Sequence, residues 1–247
     1  MRGKLCGLWL ACMLMAGSAA MADISPIVFR LEATNASGSG VLEIPFESMV
    51  YVPDQNMYTW VQSTPVYLTD GGQLIATLNN ANLAISADPA IGMGFAVQAG
   101  TSDTTFVITS ALLSFPQIPA NLTEGRASAG FTVTDLTGNG AQMLGLGSPG
   151  TGMYRADYNG FVPGGTKFCD LVYSVVAGPG GSGGGSQNYP PSGYVDIPVG
   201  VYDMSVQIAF TLTANDLGSG TSYYQIIPEP MTAGLLLIGA MALARRR

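Results

Sequence analysis

The side chains of this chain limit the chemistry that it can perform. None of its 247 residues is histidine, which excludes Ser-His-Asp and Cys-His nucleophilic catalysis and histidine-ligated zinc. The sequence also contains no phosphate-binding glycine loop, no CxxC pair and no HExxH motif. A pair of carboxylates, as in glycoside hydrolysis, is the remaining catalytic route. We therefore expect a protein without catalytic activity, with a carboxylate-dependent hydrolase as the least favoured alternative.

Three short stretches place carboxylate or amide oxygens beside glycine in turns, as calcium sites do. They are DLTGNG (Asp135 to Gly140), DYNG (Asp157 to Gly160) and NDLGSG (Asn215 to Gly220). None follows the EF-hand spacing, and Asp and Asn favour turns for backbone reasons alone. We expect no cofactor and keep calcium at these turns as an alternative.

Two aromatic pairs could stack on carbohydrate if their rings lie on the surface of a sheet. One pair is Tyr58 with Trp60, and the other is Tyr223 with Tyr224. Trp60 suits a hydrophobic core equally well, and the core is the favoured interpretation. These pairs support an alternative function, that of a carbohydrate-binding module for exopolysaccharide.

The charge of the chain between Asp23 and Ile227 argues against nucleic acid as a partner. Four basic side chains stand there against fifteen acidic ones, a net charge of −11. Phosphate binding needs clustered Lys and Arg, and these four are scattered along the sequence. Charged residues make up only 10% of the whole chain, against roughly 25% in typical soluble domains, which favours an exported β-rich protein.

The elements that must position these groups are predicted to be strands. The stretch VYDMSVQIAFTLTAND alternates strictly between apolar and polar residues, which is typical of a strand with one buried face, interrupted by a bulge or bend because of its length. Shorter runs of this kind recur between turn signals such as Asp70-Gly71-Gly72 and Asn159-Gly160. The predicted fold is an all-β antiparallel β-sandwich or jelly roll. The predicted buried face of the long strand comprises Tyr202, Met204, Val206, Ile208, Phe210 and Leu212.

A stretch rich in Gly, Ser and Pro, AGPGGSGGGSQNYPPSG, occupies residues 177–193. Its composition is that of a flexible linker, so it could separate two domains. Too few strands follow it to form an independent sandwich. We therefore predict a long mobile loop within one domain, residues 23–227, whose final strands pair back into the sheet.

The N-terminal segment has the three parts of a secretory signal peptide. A basic start is followed by an apolar stretch and by Ala20-Met21-Ala22, a small-x-small cleavage site. We predict a signal peptide over residues 1–22, with cleavage between Ala22 and Asp23. A lipoprotein modified at Cys12 is the alternative. Removal of the signal peptide leaves Cys169 without a disulfide partner, and its apolar surroundings in sequence predict a buried thiol.

The C-terminal segment combines Pro228-Glu229-Pro230, an apolar stretch over residues 231–244 and the basic end Arg245, Arg246 and Arg247. Fourteen helical residues reach about 21 Å, short of the hydrocarbon core of about 30 Å. The arginines are expected to stay in the cytoplasm. The segment therefore predicts a short hydrophobic helix that is only a marginal membrane anchor for an exported domain.

These last twenty residues resemble the PEP-CTERM sorting signal. The resemblance implies that Pro228, Glu229 and Pro230 are recognised by an exosortase, a membrane-embedded processing enzyme of Gram-negative bacteria. It further implies an inner-membrane intermediate and then release or transfer to the cell surface. Together with the predicted sandwich, it indicates an exported structural or adhesive protein of the cell surface or extracellular matrix, with signal peptidase and exosortase as its processing partners.

Overall fold

The computed structural model describes residues 23–146 and 151–228, and in these residues the protein is all-β. The described residues form nineteen strands, all paired antiparallel, and two short 3₁₀ turns at Phe46–Ser48 and Pro53–Gln55. The prediction of an antiparallel β-sandwich is confirmed. The predicted signal peptide and the predicted C-terminal helix lie outside the described residues. No helix within the described residues has the length and apolar character needed to span a bilayer.

The first sheet has ten strands, and its central path runs in the order β1-β10-β18-β9-β2-β3. Strands β12 and β13 also pair with β18, and they in turn carry β15 and β14. The bounds are β1 Asp23–Ile24, β2 Ile27–Asn35, β3 Gly38–Pro45, β9 Thr104–Ser110, β10 Leu113–Ile118, β12 Ala141–Gly145, β13 Tyr154–Tyr158, β14 Thr166–Leu171, β15 Ser174–Ala177 and β18 Val201–Leu212.

The second sheet has nine strands in the order β16-β11-β19-β8-β7-β5-β4, with β17 also paired to β11 and β6 to β7. The bounds are β4 Val50–Val52, β5 Met57–Gln62, β6 Val66–Asp70, β7 Gln73–Ser86, β8 Ala90–Ala99, β11 Thr123–Thr134, β16 Ser182–Tyr189, β17 Val195–Asp196 and β19 Leu217–Pro228. The last two strands of the described residues, β18 and β19, lie in different sheets.

One hydrophobic core joins the two sheets. Alternating residues of each strand point inward, and aromatic rings meet across the interior, with Phe210 stacked on Phe95 and on Phe106 at centroid distances of 5.7 and 5.4 Å. The buried face predicted for β18 is correct from Met204 to Leu212. Burial of these apolar faces is the main stabilising contribution to such a fold.

The prediction is wrong for Tyr202, which is 48% exposed, while Val201 and Asp203 are buried. At this end of β18 the pairing with β10 shifts register between Ser114 and Ile118. The carboxylate of Asp203 is covered because it accepts a hydrogen bond from the backbone N–H of Gly160, in the loop after β13. A neighbouring loop, rather than the sheet itself, therefore decides burial here.

The prediction of a mobile loop over residues 177–193 is also wrong for its central part. Residues Ser182–Tyr189 form β16, and all eight pair with β11, from Ser182 opposite Thr134 to Tyr189 opposite Ala127. Gly183 has no room for a side chain because the carbonyl oxygen of Val176 occupies the place where a Cβ would stand. Glycine is therefore required at this point for the edge strand to approach β15.

Candidate functional site

The outer face of the second sheet carries small, uncharged side chains in register across five strands, and we call it the small-residue face. Pairing aligns Asn82, Gly94, Thr221, Gly130 and Ser186 in one row across β7, β8, β19, β11 and β16. The adjacent row consists of Asn80, Ala96, Ser219, Thr132 and Gly184.

The small-residue face follows directly from strand alternation. In β11, Ala127, Ala129 and Phe131 are buried in the core, so the residues between them point away from it. Those residues include Ser128, Gly130 and Thr132, which leave the backbone accessible from outside. The two rows of small residues line a shallow groove of about 730 Å³.

A second, narrower cleft adjoins the groove, and we call it the Arg126 cleft. Its volume is about 360 Å³, and it is lined by Arg126, Ala127, Ser128, Asn188, Pro190, Pro191, Ser192, Gly193 and Tyr223. The edge of the sheet is interrupted here, because β16 ends at Tyr189 and β17 begins at Val195, both paired to β11. The connecting residues 190–193 form one wall of the cleft.

The guanidinium group of Arg126 is held by aromatic rings and an amide. Its central carbon lies 4.8 Å from the ring centroid of Tyr194 and 5.5 Å from that of Tyr223. Its Nε–H donates to Oε1 of Gln225 at 3.1 Å, and the Tyr194 hydroxyl donates to the same oxygen at 3.0 Å. These contacts fix the orientation of the arginine, since cation–π contacts and a hydrogen bond act together.

Arg126 differs from the other basic side chains of the described residues, which all belong to the first sheet and all have carboxylate partners. Arg30 binds Glu32 and Glu43, Arg155 binds Asp157, and Lys167 binds Asp170. Within residues 23–146 and 151–228, Arg126 has no carboxylate within ion-pair distance.

The two predicted aromatic pairs are divided between the core and the surface. Trp60 is buried, with its ring 5.1 Å from that of Phe29, so the core interpretation is confirmed and Trp60 cannot stack on a ligand. The ring of Tyr58, the other member of this pair, packs against Tyr51 with the ring centroids 4.9 Å apart. Tyr224 is fully buried, whereas Tyr223 lines the Arg126 cleft. Only Tyr223 among the four therefore contributes to the candidate site.

Asp135, in the first calcium-like turn, uses its carboxylate to hold the backbone. It accepts hydrogen bonds from the N–H groups of Thr137, Gly138, Gly140 and Gly180 at 2.6–2.9 Å. These bonds, the one from Gly180 first, hold the pKa of Asp135 well below its ordinary value. The carboxylate thereby ties this turn to the residues that lead into β16.

The other two turns have similar local explanations. Asp157 is fully buried and accepts two hydrogen bonds from Arg155, at 2.7 and 2.9 Å. Asp216 is also fully buried, and it accepts from the backbone N–H of Leu136 and from the Thr213 hydroxyl. The described residues contain no group of three or more Asp, Glu, Cys or His side chains placed to hold a metal ion.

Cys169 is buried, as its apolar surroundings in sequence predict. Burial, and after it the charge of Asp170, raises the pKa of its thiol to about 12. A thiol is nucleophilic only as the thiolate, so burial and the raised pKa give Cys169 the character of a structural residue rather than a nucleophile.

Two carboxylates, Glu124 and Asp196, are register partners across β11 and β17 at the end of the small-residue face. Neither of them lines the Arg126 cleft. Carboxylates that cleave a glycosidic bond must flank it, and this cleft offers no such pair.

The predicted processing residues lie at the two ends of the described chain or beyond it. Asp23 begins β1, opposite Ser114 on β10, and Pro228 ends β19, opposite Thr123 on β11. Ala20, Ala22, Glu229, Pro230, Arg245, Arg246 and Arg247 lie outside the described residues.

Sequence reasoning missed Arg126 and Tyr194 as members of a site. A signal for the small-residue face does exist in the period-two series Arg126, Ser128, Gly130, Thr132 of β11 and Ser219, Thr221, Tyr223, Gln225 of β19. Only the pairing of these strands shows that the two series lie side by side.

No protein-family model and no curated protein matches the chain. Among solved structures, it is similar to the carbohydrate-binding module TmCBM61 in complex with beta-1,4-galactotriose, with 12% identity and a TM-score of 0.25 over 56% of this chain and 71% of that chain. It is also similar to the adhesin domain of Epf from Streptococcus pyogenes, with 9% identity and a TM-score of 0.30 over 84% of this chain and 64% of that chain. At these values neither likeness assigns a ligand or an activity to this chain.

Proposed function

We propose that this protein is an exported, non-catalytic β-sandwich that acts at the cell surface or in the extracellular matrix by binding carbohydrate through its small-residue face. The observation that carries the proposal is the uncharged groove over five strands that continues into the Arg126 cleft. The groove and the cleft share strands β11, β16 and β19, so one extended ligand can occupy both.

The chemistry of the groove suits a polysaccharide. Its exposed side chains are hydroxyls and amides, such as Thr132, Ser186 and Asn82, and each of these groups both donates and accepts hydrogen bonds. Sugar hydroxyl groups have the same double capacity. From Thr132 in the groove to Arg126 in the cleft, β11 extends about 20 Å, which is long enough for several sugar units.

Binding to a polysaccharide array, with and without a blocked groove, tests the proposal. A Cβ added at Gly130 meets Ser186 at an ordinary contact distance of 3.6 Å, so Gly130→Glu leaves the strand intact while it places a charged side chain in the groove. We expect the variant to lose binding by about tenfold or more. The matched control is Gly178→Glu, which adds the same charge at an exposed glycine with no atom within 4 Å of the new Cβ.

An array that captures neither the unmodified protein nor the control variant would refute the proposed function. Equal binding by the Gly130→Glu variant and the unmodified protein would move the site away from the small-residue face. Reducing ends are assayed in the same incubations, and their release would show a hydrolase and contradict the non-catalytic assignment.

The route to the surface is a separate part of the proposal. On this route, signal peptidase and an exosortase process the protein, and the inner membrane is an intermediate location. The N-terminal segment supports this because it fits a signal peptide, and the C-terminal segment because it resembles a PEP-CTERM signal. The intact mass of the protein from cell surface and medium tests this route. A chain from Asp23 to near Pro228–Pro230 supports it, and a surface protein that retains residues 231–247 would refute it.

A further inference from the structure

The Arg126 cleft differs from the adjoining small-residue face in carrying one fixed positive charge. The Nε–H of Arg126 is used on Gln225, and a guanidinium group has further N–H donors in a rigid plane. With Tyr194 and Tyr223 holding that plane, the arginine is preorganised to donate hydrogen bonds to a ligand in the cleft.

The other lining groups of the cleft match a single sugar ring. Hydroxyl and amide groups come from Ser128, Ser192 and Asn188, and apolar surface comes from Tyr223 and from Pro190 with Pro191. A sugar ring has the same combination of hydroxyl edges and apolar C–H faces, and aromatic rings pack against those faces. The volume of about 360 Å³ is at the small end of ligand pockets.

The charges around the cleft favour a neutral sugar over an acidic one. Glu124 is two residues from Arg126 on the same face of β11, about 7 Å away along the strand, and Asp196 stands beside it in register. The described residues that line the adjoining groove include no basic side chain, and the chain between Asp23 and Ile227 carries a net charge of −11. A polyanion would therefore meet one positive charge in a field that repels it.

We infer that the Arg126 cleft is a subsite for one neutral pyranose of the bound glycan, and that the ligand of the small-residue face is a neutral rather than an acidic polysaccharide. This inference rests on the proposed function. Arg126 donates hydrogen bonds to hydroxyl groups of the sugar and lies beside the sugar ring, which packs on Tyr223. It does not form an ion pair with the ligand.

The test measures binding of the full-length chain to bead-immobilised neutral polysaccharides (dextran, pullulan and hydroxyethylcellulose) and acidic ones (alginate and polygalacturonate). We expect retention on at least one neutral polymer and none on the acidic ones. Binding to the neutral polymer should be nearly unchanged between low salt and about 1 M NaCl, because no charge pair forms. Arg126→Ala should weaken it by about tenfold through loss of charge-assisted hydrogen bonds.

Arg30→Ala is the matched control, since it removes an arginine from the outer face of the first sheet and should leave binding unchanged. Retention on the acidic polymers, weakened by salt, would overturn the inference while the proposed function stands. The inference would also fail if Gly130→Glu abolished binding and Arg126→Ala did not. If the unmodified chain binds no polysaccharide of either class, the proposed function fails and the inference falls with it.

Discussion

The outer faces of the two sheets obey the same strand alternation and carry opposite chemistry. On the first sheet, one row runs through Glu43, Arg30, Thr109, Gln207, Arg155 and Asp170, in register across β3, β2, β9, β18, β13 and β14. On the second sheet, the equivalent rows are made of Gly, Ala, Ser, Thr and Asn. The sandwich therefore has one charged face and one small-residue face.

The charges of the first sheet are used within the protein. Arg155 holds the buried carboxylate of Asp157 and also donates to the carbonyl of Pro163, so it fastens the loop that follows β13. The same loop is held by the Ser205 hydroxyl, which accepts from the backbone N–H of Val162. Among residues 23–146 and 151–228, no comparable loop is fastened over the groove of Gly130 and Thr132 on the second sheet, and these residues leave that face accessible to a ligand.

The largest loss of stability among the charged side chains of the first sheet is expected on substitution of Arg155. Arg155→Ala leaves the fully buried Asp157 carboxylate without its partner, and removing one member of a buried pair typically destabilises by about 3 kcal/mol or more. Urea unfolding measures the loss of unfolding free energy. The double variant Arg155→Ala/Asp157→Asn should recover part of it because the buried charge is gone. A loss of unfolding free energy no larger than that for an exposed ion pair would contradict the view that the charged residues of the first sheet stabilise the fold.

A smaller, pH-dependent effect is expected at Asp135, whose carboxylate links its turn to Gly180 and so to the start of β16. Its folded pKa lies below the ordinary value of 3.8. The stabilisation is therefore fully present above that value and is lost as the pH falls through the folded pKa. Asp135→Asn should lower Tm at neutral pH, and its difference from the unmodified protein should narrow toward about pH 2. A difference that stays constant with pH would show that the charge of Asp135 is not what matters.

The parts of the fold that sequence predicts are those in which side chains carry a pattern. Met204 to Leu212 alternate in β18, and their burial could be predicted because each apolar side chain has only one face of a strand to occupy. Cys169 lies among apolar neighbours and is buried for the same reason.

The parts that could not be predicted depend on pairing between distant residues. The stretch SGGGSQNY has almost no side-chain pattern, yet it forms β16 because eight residues of β11 supply its backbone partners. The small-residue face likewise depends on a register that joins Asn82 to Ser186 through three intervening strands. Each residue of these rows can be read from the local sequence, but their alignment into a row depends on the strand pairing.

The smallest effect is expected at Arg30, the charged-face counterpart of Arg126. Hydrogen bonding to Glu32 comes first among the causes that raise the pKa of Arg30, yet the side chains of this pair are 37% and 38% exposed. Exposed pairs are screened by solvent, so Arg30→Ala should lower the unfolding free energy by about 0.5 kcal/mol, and less at high salt. Urea unfolding at low and high salt measures this. If Arg30→Ala lowered the unfolding free energy as much as Arg155→Ala, burial of the carboxylate would not determine how much an ion pair of the first sheet stabilises the fold. The difference between the two faces would then have to lie in side-chain packing.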